Sequence, residues 1–68
     1  MRTVEEVDAL FEQDGEGRFL RLILPADKWG GEKDLTGLRF ADLDRADVVR
    51  VKKYAGLLYE EALRKTAQ

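Results

Sequence analysis

The chain has 68 residues, 44% hydrophobic and 38% charged, with 12 basic and 14 acidic side chains for a net charge of −2, and it contains no histidine, cysteine, serine or asparagine. That composition leaves no Ser/His or Cys/His nucleophile, no zinc site of the usual nitrogen–sulfur type and no imidazole switch near neutral pH. The near-balanced charge argues against both a strongly basic nucleic-acid binder and a densely acidic nucleic-acid mimic.

The length allows one small domain over residues 1–68. Ordering such a chain costs on the order of 100 kcal/mol, at roughly 1.5 kcal/mol per residue, which one small core must offset without a disulfide. Docking onto another protein or self-association would add burial. No apolar run approaches the roughly 18–20 residues that span a bilayer, and Met1-Arg2-Thr3-Val4-Glu5-Glu6 lacks the apolar core of a signal peptide. The expectation is a soluble cytoplasmic protein away from membranes, with no cofactor and no metal.

Thr3-Val4-Glu5-Glu6 has the T-x-x-E form of a capping box. Val4, Val7, Leu10 and Phe11 follow at helical spacing, so a first helix is predicted over about 4–13, stopped by Asp14-Gly15. After a flexible turn at 15–17, Arg18–Leu24 reads as a strand closed by Pro25. Leu20, Leu22 and Leu24 would share one face, and Phe19, Arg21 and Ile23 the other.

Residues 25–37, with three glycines and one proline, predict turns. Asp27-Lys28-Trp29 could form a single helical turn, and Leu35–Phe40 a second strand, making residues 19–40 a hairpin with a long loop. Such a hairpin needs helices to cover it. Asp44 sits where an N-cap belongs, with Leu43 and Val48 at hydrophobic-staple spacing. A long helix is predicted from Arg45 to about Thr66. Val48, Val51, Ala55, Leu58, Tyr59 and Ala62 lie on its inner face, and Arg50, Lys53, Glu60, Glu61 and Arg64 opposite. Gly56, beside Ala55, is expected to permit close helix packing. The predicted fold is α+β: an N-terminal helix, a central strand or hairpin and a long C-terminal amphipathic helix. An all-α bundle, with 18–24 helical, is the alternative.

Few motifs carry chemistry. Gly15-Glu16-Gly17 precedes the strand and lacks the third glycine of a dinucleotide turn, and Gly30-Gly31-Glu32-Lys33 lacks phosphate-loop spacing. Asp42, Asp44 and Asp47 form a tight carboxylate cluster without the calcium-loop pattern; their place at a helix start is explained by capping and the macrodipole. Residues 1–34 carry nine acidic and five basic side chains, and residues 35–68 five and seven. These halves could attract each other, face different partners or simply be solvated.

Two apolar residues stand out. Leu57 projects from the polar side of the long helix, as an ordinary exposed leucine or as a hot spot ringed by Arg50, Lys53 and Arg64. Trp29, the single tryptophan, sits in the glycine-rich loop, either folded over the core or displayed as an anchor. A strand ending Leu24-Pro25 followed by an amphipathic helix resembles, over about a dozen residues, a ribbon-helix-helix repressor. That resemblance implies a dimeric nucleic-acid regulator with a helix across Trp29-Gly30-Gly31. Neither possible outward set of the strand (Phe19, Arg21 and Ile23, or Arg18, Leu20 and Leu22) is polar enough to read base edges. The reading that follows is non-catalytic: a small regulator, inhibitor (antitoxin-like or phage-type) or accessory subunit acting by docking or steric occlusion. Its partner is another protein, and its expected surface comprises Trp29, Arg50, Lys53, Leu57 and Arg64. A self-associating structural subunit is the third class.

Overall fold

A computed structural model describes residues 2–28 and 30–66. Helix α1 spans Val4–Leu10, strand β1 Ile23–Leu24, strand β2 Lys33–Asp34 and helix α2 Arg45–Thr66, with a short 3-10 turn at Phe40–Asp42 before α2. This is the α+β architecture expected, and the all-α alternative is overturned: residues 23–24 pair with 33–34 and are not helical.

The capping box at Thr3 forms, with the Glu6 amide donating to the Thr3 hydroxyl at 3.2 Å. The helix ends at Leu10, three residues short of expectation, because the next residues enter a different element. Gln13 pairs antiparallel with Phe19 across a tight turn. Asp14 organises that turn. Its carboxylate accepts from the amides of Glu16 at 2.8 Å and Arg18 at 3.0 Å, and Gly17 supplies a left-handed residue at φ +83°.

The predicted strand is shorter than its hydrophobic run. A bend at Leu20–Arg21 shifts the alternation, so that Phe19, Leu22 and Leu24 are buried while Leu20 is 49% exposed. Leu20 therefore does not share the face of Leu22 and Leu24. The returning strand also begins earlier than expected, at Lys33–Asp34, with Ile23 opposite Asp34 and Leu24 opposite Lys33. It stops there because the Asp34 carboxylate accepts from the Thr36 amide at 2.9 Å, while the Thr36 hydroxyl accepts from the Leu22 amide at 3.1 Å. The chain then turns through Gly37 at φ +85°. Arg18 pairs again with Arg39, so the ribbon closes over 18–39, close to the anticipated hairpin. At its tip, Asp27 and Gly30 exchange backbone hydrogen bonds in a tight turn. The single helical turn expected over 27–29 and the helix that the repressor resemblance implied across 29–31 both include Trp29, which lies outside the described residues; the antiparallel strand β2 follows at Lys33–Asp34.

Two clusters make up the core. Phe19, Leu22, Leu24 and Leu35 of the ribbon pack on Val51, and Val7 of α1 packs on Leu58 and Ala62. Phe11 and Tyr54 touch both clusters and meet edge to face at 5.8 Å. Burying each large apolar side chain contributes about 1.5–3 kcal/mol, so α2 serves as the common floor for α1 and the ribbon. The start of α2 is fixed from both sides: Asp44 accepts from the Asp47 amide at 2.8 Å, and Asp47, only 7% exposed, receives the Lys33 ammonium at 2.5 Å. The expected close packing at Gly56 is not found among the described residues. Gly56 is exposed, and a Cβ there would meet nothing within 4 Å. No helix among the described residues is long and apolar enough to cross a membrane.

Candidate docking groove

Arg50, Lys53, Tyr54 and Leu57 are spaced i, i+3, i+4 and i+7, which sets them along one flank of α2. The ribbon tip faces that flank. Between them lies a groove of about 430 Å³ lined by Leu24, Pro25, Asp27 and Lys28 on the ribbon side and by Arg50, Lys53, Tyr54 and Leu57 on the helix. Leu24, Pro25, Tyr54 and Leu57 give it apolar walls, and Asp27, Lys28 and Lys53 complete its lining.

Arg50 builds this groove. Its side chain is only 11% exposed, far from the displayed cation that the helix pattern suggests. Its Nη2 donates to the carbonyl of Gly31 at 3.0 Å and to that of Pro25 at 3.3 Å, and lies 3.8 Å from an Asp27 carboxylate oxygen. One planar guanidinium thus holds both sides of the ribbon tip to the helix, a job suited to its rigid fork of donors. Gly30 makes room for it, since a Cβ at that position would come within 3.0 Å of Arg50 Nη1. Arg50 Nε is buried without a hydrogen-bond partner among the described residues.

The structure brings Arg50, Lys53 and Leu57 to one groove, with Leu57 at its edge and 54% exposed. Arg64 is not part of it; its guanidinium pairs with Glu60 one turn back, at 2.6 Å. Trp29 lies outside the described residues. Sequence reasoning missed Tyr54 and the Leu24-Pro25 wall. The signal for Tyr54 was its place in the i, i+3, i+4, i+7 stripe, whereas the Leu24-Pro25 contribution depends on the ribbon folding back, which helical spacing does not encode.

The neighbouring carboxylates are committed to structure. Asp42 accepts from the Arg39 amide at 3.2 Å, Asp44 caps α2 and Asp47 holds Lys33, so this cluster divides among three separate tasks. The amide and guanidinium of Arg39 hold the Asp42 carboxyl below the usual carboxylate range. Asp47 raises the Lys33 ammonium above its ordinary value by hydrogen bonding to its charged form. Between α2 and α1 the Tyr59 hydroxyl donates to Asp8, which raises the tyrosine.

Comparison with protein families, curated proteins and solved structures gives no match to this chain.

Proposed function

We propose that this protein is a non-catalytic binding module that docks another protein through the groove between the ribbon tip and α2. The observation that carries this reading is the preformed apolar groove, walled by Leu24, Pro25, Tyr54 and Leu57 and held open by Arg50. A preformed site loses little conformational entropy on binding. Aliphatic and aromatic walls suit an apolar side chain of the partner, the pattern of a hot-spot anchor. Docking there would occlude whatever surface of the partner carries that anchor. Composition supports the same reading, because the side chains from which nucleophilic and metal-assisted sites are usually built are missing from the chain.

The test uses Leu57, half-exposed and therefore replaceable without opening the core. Proteins from the native host retained on the immobilised chain should be lost with Leu57→Asp, while its far-ultraviolet circular dichroism stays unchanged. A hot-spot leucine truncated to a charge should weaken capture by at least about thirtyfold, corresponding to roughly 2 kcal/mol. Equal retention by parent and variant removes the groove as the docking site. Saturable turnover of a substrate by the purified chain, abolished by replacing one carboxylate or tyrosine, would sink the non-catalytic reading itself.

A further inference from the structure

Helix α2 begins at Arg45, although a cation in the first turn opposes the macrodipole, which favours carboxylates there. Arg45 is exposed, and so is Lys52 two turns on. Neither has a hydrogen-bond or ion-pair partner among the described residues. Val49 stands between them at spacings of four and three, 54% exposed. The three residues therefore form one outward stripe of cation, apolar side chain and cation, about 10 Å long at about 1.5 Å per residue. Beside Val49 lies a hollow of about 480 Å³ lined by Arg45, Ala46, Val49 and Arg50. The carboxylates near this end of the helix are engaged elsewhere: Asp44 caps α2 and Asp47 holds Lys33. The next acidic residue along α2 is Glu60, more than two turns beyond Lys52 and paired with Arg64. Further along the outward face, Gly56 is exposed and puts no Cβ in the way of an approaching backbone.

We propose that this stripe binds an acidic amphipathic helix of a partner protein, with carboxylates two turns apart set against Arg45 and Lys52 and an apolar side chain between them seated in the hollow beside Val49. The inference rests on the docking reading above and names the chemistry of the partner. Arg50 lines both the hollow and the docking groove, so the two adjoin and one partner segment can fill both. Charge complementarity selects the occupant: two cations with no carboxylate between them repel a basic partner, or a second copy of the same face, and attract an anionic one. The apolar residue between the cations selects further. A phosphate backbone offers charge but nothing to cover Val49, whereas a helix presents carboxylates and an apolar side chain at the same spacing as the stripe itself.

The test selects peptides of about 16 residues, long enough for about four helical turns, from a random displayed library on the immobilised full chain. The peptides recovered should be net acidic, with carboxylates about seven residues apart and a large apolar residue between them. For the tightest one, synthesised and titrated by calorimetry, Arg45→Glu and Lys52→Glu should each weaken binding at least about tenfold. Arg45→Glu places a carboxylate in the first turn, where it stabilises the helix, so lost binding there is not lost folding. Arg21→Glu, at an exposed arginine beside α1, should leave binding within about twofold of the parent. Raising the salt from about 0.1 to about 1 M shortens the screening length from about 10 to about 3 Å and should weaken the parent about tenfold but the charge-reversed chains little. Neutral or basic peptides, no enrichment over the starting library, charge reversals without effect, or an equal loss with Arg21→Glu would each overturn the proposal. Peptides lost with Leu57→Asp yet indifferent to Arg45→Glu and Lys52→Glu would leave the docking groove standing and remove this extension alone. The opposite pattern would support the stripe and remove the groove. Phosphatidylserine vesicles bound as tightly as the peptide, and released by the same two charge reversals, would make the face a lipid-binding surface and overturn the assignment to a partner helix.

Discussion

The seven aspartates of this chain do the local work that asparagine and serine share in most proteins. Asp14, Asp27, Asp34, Asp42 and Asp44 each accept from a backbone amide two to four residues away, while Asp8 and Asp47 receive a tyrosine hydroxyl and a lysine ammonium. Side chains of this length satisfy nearby amides that would otherwise interrupt a turn or a helix start. The glycines divide more sharply. Gly37 stands at φ +85°, a conformation that disfavours any Cβ, whereas Gly31 has an ordinary φ and open space around its Cα. Gly37→Ala is expected to destabilise the fold by about 1–2 kcal/mol, and Gly31→Ala to be neutral or slightly stabilising. Chemical denaturation of the two variants checks this, and equal effects would contradict the turn assignment. At this scale sequence reasoning succeeds where a residue acts on its immediate neighbours, as at the Thr3 box and the Asp44 cap. It fails at Gly56, which has no packing partner among the described residues, and at Asp14, which resembles a helix stop but organises a turn with Arg18.

Between elements, the decisive feature is the meeting of the ribbon with α2. The long helix was legible because its apolar positions persist at helical spacing over six turns. The ribbon was only partly legible: the bend at Leu20–Arg21 breaks the period-two pattern, and Lys33-Asp34, polar and exposed, carries no strand signature although it forms β2. Its pairing is set by the buried Leu24 and Leu35 on either side and by the Thr36 hydroxyl, none of which propensity can weigh. The candidate groove inherits this difficulty, since half of it belongs to the helix stripe and half to the ribbon tip. Arg50 joins the two halves. Arg50→Ala should cost about 1–3 kcal/mol, the scale of a charge-assisted hydrogen-bond pair, and should loosen the tip locally. Hydrogen exchange at the amides of Asp27 and Gly30, which bond each other across the tip, should accelerate while that at Val7 in α1 stays slow. Arg50→Lys should not restore protection, because a single ammonium does not reproduce the fork. Uniform acceleration throughout the chain would show Arg50 to be a general core residue and not a clamp.

For the whole molecule, the charges spent on structure define a pH range. Backbone amides hold Asp14 and Asp42 below the usual carboxylate value, and the hydroxyl and amide of Thr36 do the same for Asp34. A carboxyl lowered by folding contributes stability that is present above its unfolded value of about 3.9 and is lost as pH falls through the folded value. Lys33 and Tyr59 shift upward, held by Asp47 and Asp8 respectively. Their contributions are present below the unfolded values of about 10.4 and 10 and disappear as pH rises through the folded ones. Between these edges the sequence has no histidine or cysteine to titrate. Thermal melting should therefore show a broad plateau from about pH 5 to 9, an acid limb below about pH 4 and an alkaline limb above about pH 10. Asp34→Ala should make the acid limb shallower by removing one of its linked protons, while leaving the alkaline limb in place. A midpoint that changes steeply between pH 6 and 8 would mean that a group outside this network governs stability, and the assignment of the aspartate hydrogen bonds as its electrostatic frame would fall.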